Sequence, residues 1–170
     1  MIGPYALKGP IVSVPVLLDT CAAIWLMDGA PMSSLARIAI RAAQRAHAGV
    51  FVSPITAWEI GTLVAKGRIQ LSRSPEMWFD TMLGLPGVRL AALSPAVLIA
   101  SCALPGKSPR DPADRMIAAT ARAFGCTGIT RDGKLVPYAA AGQSPRLAHP
   151  PPPRYLVSRN TGRKPNGYDG

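Results

Sequence analysis

The chain has 170 residues, 48% of them apolar, which is enough for one domain with a real core. Its 19 Lys and Arg against nine Asp and Glu leave a net charge of +10, which points to nucleic acid or another anionic partner. The three scattered cysteines form no CxxC, and the two histidines stand in a basic helical stretch (His47) and a Pro-rich tail (His149). That set argues against a disulfide scaffold, a His/Cys zinc site and a Ser-His-Asp triad, and it fits a reducing cytoplasm.

In chain order, residues 1–13 read as an N-terminal extension. Ile11 to Leu18 is apolar but broken by Pro15 and closed by Asp19, which is not a signal-peptide pattern. No stretch approaches the ~20 apolar residues of a membrane span. Val14 to Leu18 is predicted as a short buried strand, and Ala22 to Met27 as one or two helical turns. Ser33 to His47 is predicted as a helix capped by Ser33 or Ser34, with Leu35, Ile38 and Ala42 on one face and Arg37, Arg41 and Arg45 on another. Gly49 ends it, and Val50 to Val52 is a second strand.

Ser53-Pro54, Ser74-Pro75, Ser94-Pro95 and Asp111-Pro112 each place a capping side chain before a proline, which is a helix start. The four helices are expected to end near Lys66, Leu83, Pro105-Gly106 and Phe124. Val88 to Ala92 and Cys126 to Thr130 complete the strands. Alternating helices and short, wholly apolar strands predict an α/β fold with a central, mainly parallel sheet covered on both faces. The folded domain is expected to span 14–149, with Leu147-Ala148 read as a last short edge strand. The Pro-rich basic tail of 150–170 is expected to be extended or disordered.

Five of the nine acids fall in four short motifs: Leu17-Leu18-Asp19-Thr20, Trp58-Glu59-Ile60, Asp111-Pro112-Ala113-Asp114-Arg115 and Thr130-Arg131-Asp132-Gly133. Parallel sheets gather ligands at the carboxyl ends of their strands, and this topology can bring all four motifs to that edge. Each acid also has a simpler role. Asp111 can cap a helix, Asp114 can favour the helix dipole, Asp132-Gly133 can make a turn, and Glu59 can be a surface acid. Asp19 is the hardest to assign this way, because an acid closing a buried strand is costly without hydrogen bonds or a cation. Several carboxylates in one pocket repel one another, and a hard divalent cation such as Mg²⁺ or Mn²⁺ removes that cost.

The four motifs, in order and approximate spacing, resemble the PIN domain, and most closely the VapC-type toxin ribonucleases of type II toxin–antitoxin systems. The third is the most specific; it resembles the DPFDR variant with Ala113 at the Phe position. The resemblance covers about Val14 to Pro137. It implies a Rossmann-like, three-layer fold and an Mg²⁺- or Mn²⁺-dependent endoribonuclease leaving a 5′-phosphate and a 3′-hydroxyl. It carries metal-ligand and catalytic roles to Asp19, Glu59, Asp114 and Asp132. Thr20 and Thr130 would support the site, Asp111 would cap or act one step removed, and Arg115 would pair with an acid or contact phosphate.

Relatives often have His where Cys21 stands and Lys where Leu63 stands, which leaves substrate placement undefined. The resemblance further implies an RNA substrate, a cognate antitoxin, a homodimer, a cytoplasmic location and no membrane. The apolar stretch Trp25, Leu26, Met27, Pro31 and Met32 is either an ordinary core helix and turn or a groove for an antitoxin helix. Two other readings compete. One is a catalytically weak PIN-fold module that binds RNA or protein. The other is a phosphatase with a nucleophilic Asp19, disfavoured because position 21 is Cys rather than a second Asp.

Overall fold

The computed structural model describes residues 14–130 and the backbone of Tyr155–Val157. Its sheet is wholly parallel, five-stranded, in the order β3-β2-β1-β4-β5. The strands are β1 (Val16–Leu18), β2 (Val50–Val52), β3 (Val88–Leu90), β4 (Thr127–Thr130) and β5 (Tyr155–Val157). The helices are α1 (Thr20–Asp28), α2 (Ser34–Arg45), α3 (Pro54–Ala65), α4 (Pro75–Leu83), α5 (Pro95–Cys102) and α6 (Pro112–Ala123). Strand β2 has its predicted bounds, whereas β1, β3 and β4 are shorter than predicted by one or two residues.

Helix starts follow the capping chemistry. Ser33, Ser53, Ser74 and Ser94 each accept a backbone N–H from the first turn of the helix they open, and Asp111 accepts two. Proline fills the first position of α3, α4, α5 and α6, where its missing N–H costs nothing. Glu76, in the first turn of α4, has its carboxyl held below the usual range by its own backbone N–H and the Ser74 hydroxyl. Gly49, which leads into β2, has φ 100°, and a Cβ there would meet the Phe51 ring at 2.8 Å.

Alternation along the strands divides the core into two faces. Val16, Leu18, Val50, Val52 and Ile129 pack with Ala22, Trp25, Ile40, Ile60 and Met82, under α1, α2, α3 and α4. Leu17 faces the other way and packs with Ile117, Ala121 and Cys126, beside Ile55, Phe51 and Phe124. Helices therefore cover both sides of the sheet, in three layers.

Two expectations change, and one open alternative is decided. The buried face of α2 is Ala36, Ile40 and Ala43, not the predicted Leu35, Ile38 and Ala42; Leu35 and Ile38 are 59% and 62% exposed. Small alanines let the helix lie close to the sheet, which the larger apolar stripe would prevent. Secondly, β5 lies in the tail expected to be extended or disordered, where its backbone pairs with β4. Tyr-Leu-Val favours a strand once the prolines are past; the Leu147-Ala148 edge strand lies outside the described residues. Of the two readings open for the apolar stretch, the first holds: Trp25 and Met32 are buried in the core, Leu26 and Met27 pack half-buried against it, and Pro31 is exposed. That stretch is chiefly an ordinary core helix and turn.

Two predictions follow from this packing. Ile40→Ala should cost about 2 kcal/mol or more, and Ile38→Ala less than about 0.5 kcal/mol, read from denaturant midpoints at unchanged slope. The Cys126 thiol is pushed up to about 12 by burial, whereas Cys102 is exposed. Alkylation of the native protein at mildly alkaline pH should therefore label Cys102 and spare Cys126, as peptide mass mapping would show.

Candidate active site

Register fixes which residues share the carboxyl edge. Leu18 pairs with Val52 on one side and Ile129 on the other. One residue further, Asp19 stands between Ser53 and Thr130, and all three are buried. Asp19 is 5% exposed, and its backbone N–H donates to the Ile129 carbonyl at 3.0 Å.

Asp19 is also the N-cap of α1. Its Oδ1 accepts from the Ala22 N–H at 2.6 Å, and its carbonyl accepts from Ala23 at 2.9 Å. The strand thus turns into the helix at one residue. The α1 N-terminus, with its inward-facing first-turn N–H groups and positive dipole end, is what makes a buried carboxylate tolerable there. A simple capping role therefore exists for Asp19 as well, although the sequence alone disfavours it.

The next residue recruits the second motif. Thr20 is buried, and its hydroxyl donates to Oε2 of Glu59, in the second turn of α3. Thr56, one turn earlier on α3 and fully buried, has its Oγ1 3.4 Å from that of Thr20. A hydroxyl carries one proton, and the Glu59 carboxylate can only accept. Thr20 spends its proton on Glu59, so Thr56 must be the donor in the contact with Thr20. Glu59 is half-buried between an exposed Trp58 and a fully buried Ile60, so it is not the surface acid of the simpler reading. Thr56 escapes a search for acids because nothing in its own sequence marks it. Only its three-residue spacing before Glu59, on one helical face, is a signal.

The third motif approaches from α6. This helix returns to the start of β4 through Gly125 and Cys126, so its first turn lies toward the carboxyl edge. Asp111 caps it: Oδ1 accepts from Ala113 N–H at 2.8 Å and from Asp114 N–H at 3.2 Å. Asp111 has the capping role expected of it, and Asp114 stands half-buried in the first turn. Arg115 bonds the backbone carbonyls of Ser101 and Cys102 through its guanidinium, at 2.9 and 2.7 Å. Asp132 lies outside the described residues.

Thr20, Thr56 and Glu59 are thus in side-chain contact next to Asp19, with Thr130 alongside by register and Asp114 brought toward the same edge by topology. Among the described residues, no three His, Cys, Asp or Glu side chains stand close enough to form a metal site by themselves. The donors at the edge are carboxylate and hydroxyl oxygens, with half-buried Cys21 the soft donor nearest in sequence. Such a set fits a hard cation such as Mg²⁺ or Mn²⁺ better than zinc or copper.

Among the described residues no helix is long and apolar enough to cross a membrane. Residues 16–140 match the PIN domain family. Ribonuclease VapC22 of Mycobacterium tuberculosis (strain ATCC 25618 / H37Rv) is 34% identical over 120 residues, 71% of this chain and 88% of the relative. The crystal structure of VapBC2 from Rickettsia felis, bound to a DNA fragment from its promoter, matches with a TM-score of 0.53 at 15% identity. That match covers 69% of this chain and 87% of that one, and it speaks to the fold. The chain is homologous to a VapC ribonuclease, and with a family match across most of its length it belongs to the PIN domain family.

Proposed function

We propose that the chain is a divalent-metal-dependent endoribonuclease of the VapC kind, the toxin of a type II toxin–antitoxin pair. The observation that carries this is the bond from Thr20 to Glu59 next to the buried Asp19 cap, at the carboxyl edge of a parallel sheet. The homology to a VapC ribonuclease supplies the reaction class. The net charge of +10 suits an RNA substrate.

Asp19, Glu59 and Asp114 would hold Mg²⁺ or Mn²⁺, with Asp132 completing the set. Such an ion, when bound, stabilises charge on a phosphate oxygen and lowers the pKa of water. The chain's own part is orientation. Ala22 N–H fixes Asp19, the Thr56–Thr20 hydroxyl pair fixes Glu59, and the Asp111 cap fixes the turn that carries Asp114. Thr130, buried beside Asp19, would support the same edge. Burial of Asp19 and Thr20 keeps bulk water from competing for these bonds. A cognate antitoxin, a homodimer and a cytoplasmic location belong to the same proposal.

Purified protein should cut RNA with Mg²⁺ or Mn²⁺ and stop with EDTA. Asp19→Asn and Asp114→Asn should each lose roughly 100-fold or more in rate, beyond what indirect partners of a metal ligand cost. Thr20→Val should lose roughly 10-fold, because Glu59 keeps its charge but not its anchor. Expression of the unaltered chain should arrest growth, and Asp114→Asn should not. Cutting that persists in EDTA, or at the unaltered rate in Asp19→Asn, would remove the proposal.

A further inference from the structure

Arg115 sits beside Asp114 but works in another direction. Helix α5 ends at Cys102, and its last carbonyls have no partner within the helix. The Ala103 N–H turns back to Ala100. The carbonyls of Ser101 and Cys102 are taken by Arg115, through Nε at 2.9 Å and Nη2 at 2.7 Å. The guanidinium is a rigid two-pronged donor, and its charge complements the negative end of the α5 dipole. Ser101 is buried, and its own hydroxyl donates to the Leu98 carbonyl at 2.7 Å. The acceptor is therefore a packed helical turn rather than a loose chain end.

Residues 103–111 connect the two helices without regular structure, through Pro105, Gly106 at φ 73° and Pro109. Arg115 closes this loop at its root. The turn it fastens contains both the Asp111 cap and Asp114.

We infer that Arg115 is a positioning residue: by clamping the first turn of α6 to the carboxyl end of α5, it sets where Asp114 stands relative to Asp19 and Glu59. This rests on the proposed role of Asp114 as a metal ligand. A phosphate contact would use the guanidinium's outward N–H groups, whereas the clamp uses the two bonds already formed.

The test uses the full chain, with Mn²⁺ alone as the probe. Calorimetric titration of Arg115→Gln without RNA should show Mn²⁺ binding roughly 10-fold weaker or more, in the range seen when partners of metal ligands are removed. Arg115→Lys, which keeps the charge but not the fork, should lie between. Amide hydrogen exchange over 103–114 should quicken in both while the strands keep their protection. If Arg115→Gln keeps full Mn²⁺ affinity and instead raises KM for RNA with a shallower salt dependence, Arg115 is a phosphate contact and the inference is wrong. If it lowers Tm alone, with Mn²⁺ affinity unchanged well below the transition, Arg115 is merely structural and the inference is again wrong. Should Arg115→Gln fail to fold, the Lys variant decides on the same readouts. Asp114→Asn is the control. If it binds Mn²⁺ as the unaltered chain does, the metal role of Asp114 fails, whatever Arg115 does.

Discussion

Asp19 ends the central strand of the sheet and starts the first helix, and the two jobs share one buried residue. Its amide is held by β4, its carboxylate by the first turn of α1, and its carbonyl by the second. Moving it would shift the strand pairing or the helix axis. Thr20 inherits its direction from this turn, and Glu59 is in turn held by Thr20. The second motif thus depends on the geometry of the first, although the two belong to different helices and nearly forty residues separate them.

The same arrangement separates charge in space. The chain as a whole is strongly positive, yet Asp19 and, through Thr20, Glu59 stand at one edge. A polyanion is drawn to the protein by the first property and repelled from the edge by the second. A cation held between carboxylate and phosphate reconciles them, which is the electrostatic sense of the proposed nuclease. Hydroxyls serve such a site well as supports, because they fix a carboxylate without neutralising it. Thr20 and Thr56 do this for Glu59, while Asp111 uses its own charge for capping instead.

What the sequence reveals here depends on how local the cause is. The starts of α3, α4, α5 and α6 are legible to the residue, since a Ser or Asp cap followed by proline is a backbone argument needing no tertiary context. Asp19, Glu59 and Asp114 are legible because carboxylates are scarce and stand beside apolar runs. The face of α2 is not, because Ala36 and Ala43 carry less hydrophobic signal than Leu35 and Ile38, and only close approach to the sheet favours them. Neither Thr56 nor the clamp by Arg115 is legible. Both depend on which segments meet in space, and a threonine or an arginine at those positions looks the same with or without a partner. Strand β5 is hidden by its proline-rich approach.

Parallel pairing also dictates an order of assembly. Among the described strands β1 leaves the ribosome first, but it lies in the middle of the sheet, between β2 and β4. One of its flanks can be covered early, by β2. The other stays open until β4 has been synthesised, almost the whole described domain later, and long-range parallel pairing of this kind forms slowly. Until then the Asp19 amide lacks the Ile129 carbonyl, and the edge that carries the acids is incomplete. A nascent chain therefore cannot display a finished site.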